Sequence, residues 1–404
     1  MNILFLSELF YPHGGGAELA TYLYAKLLAE AKVNVVVITN RFSGEPDYSD
    51  NEGFRVYRLP LFRRAENVKY AILKRSGILF SSFLRKLIRW ADVVYVPRFW
   101  FSAIPVTKAM GKPVITHLHD YIAVCPLAVL YDSKADGVCE KNGNCSAKCI
   151  YAYETCRRKG FVRAFGSTFL NLTLWPILRQ FIEQSDALIC VSKTQRKLIA
   201  KYAPQLKSKI KVIYNPLPNL PLTPLHGNDF GYFGGASYLK GFHILLGALE
   251  YRKIKGYENV TVHATKFNKN DKKLSDIAYT AGMILYGKLG RVEMEKIYQK
   301  IKAVIVPSIC IETFNYVVAE ALLKGRIVIA SNIGGILELV EGSPGIFLFD
   351  AGDTVQLAEK IQFVNCLDVD EALKLGMLNR KTFTEKFRDE MSIGNFLSLC
   401  ENIM

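Results

Sequence analysis

The sequence predicts an α/β protein of two domains, and three observations carry that expectation. The chain has 404 residues, more than one hydrophobic core serves, so two domains of roughly 200 residues are expected. Short uninterrupted apolar runs, such as Ile3–Leu6 and Ala303–Val306, have the pattern of strands buried on both faces of a parallel sheet. Glycines stand between a strand and a helix at residues 14–16 and again at 234–235, a turn that lets a ligand approach the backbone. Half of the residues are hydrophobic and 22% are charged, which is a foldable composition and not a disordered one.

The formal net charge of +15 calls for an anionic partner. The basic residues cluster with apolar ones and are not interleaved with stacking aromatics, so a nucleic-acid partner is not expected. No apolar run reaches the length of a membrane-spanning helix. The start of the chain lacks a basic leader and meets Glu8 early, so it reads as a first strand and the protein as cytoplasmic, on or near the inner face of a membrane.

Taken in order, Ile3–Leu6 is the first strand, followed by Gly14-Gly15-Gly16 and a helix from about Ala17 to Ala31. Strands follow at Val33–Thr39, Phe54–Leu59 and Val93–Val96. Between the last two, Phe83, Leu84 and Leu87 recur at helical spacing while Arg85, Lys86 and Arg89 point elsewhere. That basic amphipathic helix suits either an anionic membrane surface or packing on the sheet. The next strand runs into His117-Leu118-His119-Asp120, at the edge where open α/β sheets bind ligands. Alternation puts His117 and His119 on one face, so either could serve.

Cys125, Cys139, Cys145, Cys149 and Cys156 then fall in a stretch rich in Gly, Asn, Asp and Lys, expected to be a loop that needs a staple. Four thiolates could hold a structural Zn²⁺ or an iron–sulfur cluster; disulfides are the rival. Residues from Arg157 to Phe181 are again basic and aromatic, and Phe165–Leu178 is uncharged but interrupted by Pro176. That segment fits an interfacial or buried helix. Asn215-Pro216-Leu217-Pro218 marks the linker, giving domains at 1–217, with a cysteine-rich insertion at about 125–156, and 218–382. A final helix, Phe383 to Ile403, is expected to return to the first domain.

The second domain opens with Phe230–Gly235 and a helix from about Phe242, with Lys240 placed to meet a phosphate. Strands at Val260–Ala264 and Ile284–Tyr286 lead to Ala303–Val306, then to Glu312 and a helix from about Phe314 to Lys324 that carries Glu320 and stops at Gly325. The N–H groups and dipole of that helix favour a phosphate. Carboxylates instead accept hydrogen bonds from hydroxyls. One site offering both suits a nucleotide-sugar; two solvated glutamates on a surface helix are the plain alternative.

The block Pro307-Ser308…Glu312-x7-Glu320-Ala321…Gly325…Ser331-x2-Gly334-Gly335-x2-Glu338 resembles the C-terminal block of the family-4 retaining glycosyltransferases. The resemblance spans almost the whole chain. It implies the GT-B fold, two Rossmann-like domains facing a central cleft with a C-terminal helix crossing back to the N-domain. It implies a nucleotide-sugar donor and a glycan or lipid-linked acceptor, with the acceptor on the N-domain. It assigns the reaction centre to His119 and Glu312. It assigns donor binding to Gly15, Gly16, Gly235, Lys240, the backbone of Phe314, Asn315, Tyr316 and Val317, and Glu320 for the ribose. Glu338 is expected to hold the loop, and the metal set is narrowed to Cys125, Cys139, Cys145 and Cys149. No cofactor is expected for catalysis, since no Asp-x-Asp stands near the donor site. Two positions depart from the family pattern: Ala236-Ser237 replace the usual Arg after the glycines, and Asn315 replaces a Gly. Those departures keep a catalytically dead sugar-nucleotide scaffold as an alternative. An epimerase of the same fold is disfavoured by Glu312-x7-Glu320.

Overall fold

The computed structural model describes residues 1–62, 76–133, 137–139, 145–156, 160–268 and 271–404. The chain forms two compact units, Met1–Leu217 with Arg388–Met404, and Pro218–Phe387.

The first unit contains strands β1 (Asn2–Leu6), β2 (Asn34–Asn40), β3 (Tyr48–Asn51), β4 (Phe54–Leu59), β5 (Val93–Val96), β6 (Val114–Leu118), β7 (Tyr131–Asp132), β8 (Gly137–Val138), β9 (Ala187–Cys190) and β10 (Ile210–Val212). Its helices are α1 (Gly16–Glu30), α2 (Ser82–Trp90), α3 (Ala103–Ala109), α4 (Ala147–Cys156), α5 (Phe161–Glu183) and α6 (Lys193–Tyr202). Eight strands make one sheet in the order β10-β9-β6-β5-β1-β2-β4-β3. It is parallel except at its edge, where β3 pairs antiparallel with β4.

In the second unit β11 (Asp229–Tyr232), β12 (Val262–Ala264), β13 (Met283–Leu285), β14 (Ile301–Val306), β15 (Ile327–Ser331) and β16 (Ile346–Phe349) form a wholly parallel sheet. Its order is β13-β12-β11-β14-β15-β16. The helices are α7 (Phe242–Ile254), α8 (Lys272–Thr280), α9 (Arg291–Tyr298), α10 (Tyr316–Leu323), α11 (Ile336–Val340), α12 (Thr354–Cys366) and α13 (Val369–Lys386). The continuous apolar strands are buried throughout: β14 and β15 contain no exposed residue. Burial of each large side chain there is worth about 2 kcal/mol.

The last helix, α14 (Asp389–Ile403), belongs to the first unit. Its Ile393, Phe396, Leu399 and Cys400 join Ile3, Phe5, Tyr24 and Tyr95 in one core cluster. The expected single helix from Phe383 is therefore two helices. Phe383 and Phe387 stack at 4.9 Å and are buried within the second unit, so the chain must leave helix α13 before it can return.

Two other local expectations change, and a third that was left open gains support. The cysteine-rich segment is not simply a loop, because it contains the β7–β8 hairpin and helix α4. Helix α5 runs straight through Pro176. A proline removes one helical hydrogen bond, but α5 is pinned on both sides of it: Ala164 and Thr168 before, Leu178 and Ile182 after, all buried. Next to the proline, the Trp175 indole N–H donates to Ile122 O at 2.7 Å. In α2, Leu84 and Ile88 are fully buried, so that helix packs its apolar face on the sheet.

Candidate active site

In the second unit the strand order reverses between β11 and β14, a switch point of the kind at whose carboxyl edge α/β sheets bind ligands. The loop after β11 carries Gly235 and Lys240, and ends at Gly241, which is left-handed with φ 71°. A Cβ at Gly241 would lie 1.7 Å from the Pro307 carbonyl oxygen. Only glycine lets this loop press onto the end of β14, and the contact delivers Lys240 to Glu312. Lys240 Nζ donates to Glu312 Oε1 at 2.6 Å, and Ser308 Oγ donates to the same oxygen at 2.7 Å. The loop itself is tied by the Gly335 N–H, which donates to Glu312 O at 2.7 Å.

Helix α10 begins at Tyr316, two residues later than the sequence predicts, because Asn315 is its N-cap. The Asn315 side chain accepts the Val318 N–H at 3.1 Å. That capping bond gives Asn315 a physical reason to stand where a glycine was expected. The Val317 N–H lies in the first turn, ahead of the first intrahelical bond from Ala319 to Asn315 O, so it has no acceptor within the helix. The Tyr316 ring is buried and meets Phe314 edge-on at 5.0 Å, so the Tyr316 contribution to a ligand would be backbone. Glu320 has its carboxyl pushed up to about 6 by burial, with Lys266 and Lys324 pulling it back. Lys324 is already paired with Glu295.

Lys266 was missed by sequence reasoning. It follows β12 in the left-handed conformation, φ 70°. Its N–H donates to Gly287 O at 3.0 Å, and its carbonyl lies against Gly235. The available signal was a lysine just past a parallel strand at the ligand edge.

The first unit has its own switch point, between β1 and β5. Glu8 follows β1 and is fully buried, and Arg98 follows β5. Arg98 meets Glu8 at 3.6 Å and Glu18 of α1 at 3.2 Å. Burial pushes the Glu8 carboxyl up to about 7, Arg98 opposing and Glu18 adding. Glu8 was legible only as an acid directly after the first strand. The Gly15 N–H donates to Glu18 Oε2 at 2.6 Å, inside its own turn. Gly16 is the first residue of α1.

His117 and His119 stack at 4.1 Å at the end of β6. His117 is buried and pushed down to about 3 by burial, and its Nδ1 shares a hydrogen bond with Tyr95 OH at 2.5 Å. His119 is less buried and is also held well below the usual histidine range, by burial first, then by His117 and Arg98. Of the two, His119 is the one reachable from solvent, as a neutral hydrogen-bonding group.

The sulfurs of Cys125 and Cys149 are both in hydrogen-bond contact with Cys145. Cys125 is held down to about 6 by Cys145 and by the N–H groups of Leu130, Val129 and Leu127. Cys139 is buried at the end of the β7–β8 hairpin. Among the described residues no three His, Cys, Asp or Glu side chains are arranged to hold a metal ion. Of the four thiols expected to hold a structural ion, Cys125, Cys145 and Cys149 are in contact through Cys145.

The model of "Glycosyltransferase Family 4" matches residues 14–218, and that of "Glycosyl transferases group 1" matches residues 227–364. A Klebsiella pneumoniae relative, described as an uncharacterized 42.6 kDa protein in the cps region, is 22% identical over 93% of this chain and 95% of its own. Glycogen synthase of Mycobacterium tuberculosis is 26% identical over 59% of this chain and 57% of its own. Among solved structures, sucrose-phosphate synthase from Thermosynechococcus elongatus aligns with a TM-score of 0.72 at 15% identity, covering 99% of this chain and 98% of that one. Anabaena Alr3699/HepE in complex with UDP-glucose aligns at 0.66 and 18% identity, covering all of both chains. These likenesses establish the GT-B fold of the two units.

Proposed function

The chain belongs to glycosyltransferase family 4, and from that premise we propose that it is a retaining enzyme moving a sugar from UDP or GDP onto a glycan or lipid-linked acceptor. The observation that carries the reading is the Lys240–Glu312 pair at the β11/β14 switch point, set beside the N-terminus of α10 and Glu320. The diphosphate would be held by Lys240 and the first-turn N–H groups of α10, where charge develops on the leaving group; fixed donors aimed at such charge are usually the largest catalytic contribution. Glu320 would accept from the ribose hydroxyls and Glu312 from the sugar. We assign the acceptor to the first unit, with neutral His119 as a hydrogen-bonding partner for a hydroxyl. UDP and UDP-glucose are what the HepE structures hold, and they support a uridine donor ahead of a guanosine one.

We assign the acceptor to an anionic membrane surface. No helix among the described residues is long and apolar enough to cross a membrane. On α5, however, Phe161, Phe165 and Phe169 are exposed at 73%, 63% and 61%, one helical turn apart, behind the basic run Arg157-Arg158-Lys159. Such a row suits an interfacial helix.

The test is thermal unfolding with UDP, GDP, ADP and their sugars, on the native chain and on Glu320→Ala. A ligand at 100 times its dissociation constant stabilises by about 2.7 kcal/mol. The native chain should respond to one nucleotide and the variant should not. A scaffold without turnover is the second reading, favoured by Lys240 being already engaged by Glu312. Binding without sugar release in the presence of acceptor would establish it.

A further inference from the structure

The anion site of the second unit is one cation short if Lys240 acts alone. Its ammonium is bound to Glu312, which cancels its charge, and Ala236-Ser237 add none after the glycines. A nucleoside diphosphate brings two or more negative charges. We infer that Lys266 is the second cation of this site and grips the donor diphosphate directly.

The inference rests on the nucleotide-sugar reading above and deepens it. Lys266 leaves β12, the strand next to β11, at the same carboxyl edge as Lys240. Its backbone is locked there from two sides, by its N–H to Gly287 O and by the neighbouring Phe267 N–H to Tyr286 O at 2.9 Å. The left-handed φ is strained for a lysine, and strain of this kind collects where a side chain must be aimed. The charged neighbours of Lys266 are Glu320, Lys240 and Lys288. Three lysines thus share one sheet edge with two carboxylates, Glu312 being bound to Lys240. The Lys266 side chain is exposed to solvent, so an incoming anion can reach it. With ligand absent it serves as the counter-charge for Glu320; with a diphosphate bound, Glu320 turns to the ribose hydroxyls and Lys266 to the phosphates.

The experiment compares the native full-length chain, Lys266→Met and Lys266→Arg by calorimetric titration with UDP, GDP and ADP. The matching nucleosides are titrated by NMR. Methionine keeps the Cβ and the stem, so it adds no strain at this φ. For the diphosphate the native chain prefers, Lys266→Met should bind about 10-fold or more weakly, the loss typical of a charge-assisted contact, and Lys266→Arg should restore most of it. Nucleoside affinity should not change. If diphosphate affinity is unchanged in Lys266→Met, or falls equally for the nucleoside, Lys266 is only the partner of Glu320 and the inference is wrong. If the native chain binds no nucleoside diphosphate, the nucleotide-sugar reading fails and takes this inference with it. If Glu320→Ala loses the nucleotide while Lys266→Met keeps it, only the inference fails.

Discussion

Glu8 shows most plainly what one residue does here. Its carboxyl is fully buried, and its folded value stands at about 7 against an ordinary 4.5. Between those values the folded chain holds a proton that the unfolded chain has released, so stability falls as pH rises. The penalty is absent below pH 4.5 and complete above about 7, on the order of 3 kcal/mol for a shift of this size. Glu8→Gln removes the titration and keeps the shape. Urea unfolding at pH 5 and pH 7.5 should show a smaller difference for the variant than for the native chain. An unchanged pH dependence would mean that Arg98 carries the charge of Glu8 without cost. The same residue illustrates legibility. As an amino acid it was visible at the end of the first strand, but its pairing with Arg98 joins loops 90 positions apart, which no local pattern announces.

At the scale of the element, α10 shows how a substitution in a motif is absorbed. A glycine before a helix frees the backbone; Asn315 instead caps it, accepting the Val318 N–H. Asn315→Ala should lower stability by about 1 kcal/mol, while Asn315→Gly should lower it by only a few tenths, roughly the difference between cap residues. Nucleotide affinity should survive in the glycine variant, since the first-turn N–H groups remain. Urea midpoints of the two variants check this, and equal losses would show that the cap is not what holds the turn. Helix α5 teaches the complementary lesson. Its proline argued for a break, yet buried residues on both sides hold it continuous. Proline's few kcal/mol are outweighed when several side chains on either side are packed.

For the whole molecule the questions are charge and surface. With a net charge of +15 and an exposed phenylalanine row on α5, the chain should float with vesicles of mixed phosphatidylcholine and phosphatidylglycerol and not with phosphatidylcholine alone. Each basic residue near such a surface contributes about 1 kcal/mol, screened over about 8 Å at physiological salt, so rising salt should release the protein. Phe165→Ser with Phe169→Ser should weaken flotation without lowering the unfolding midpoint, because both rings are exposed in the folded chain. Flotation that ignores lipid charge, or survives the double variant, would remove α5 from the account.

The sequence by itself determined the class of fold and the family, and it supplied the residues proposed for the donor site. Buried parallel strands are written as continuous apolar runs. The glycines that allow close approach, and the Glu312-x7-Glu320 spacing across one turn and one helix, are local patterns. Tertiary structure alone decided which charges meet. Lys240 with Glu312, Arg98 with Glu8 and Glu18, and Lys266 beside Glu320 each join residues from separate loops and helices, brought to one edge by the order of strands in the sheet. It also decided that Cys125, Cys145 and Cys149 meet, and that the last helix completes the first core through Phe396 and Leu399. Local patterns record the chemistry of neighbours in sequence. Ion pairs and cores depend on distances set by sheet order and burial, which one strand cannot specify for another.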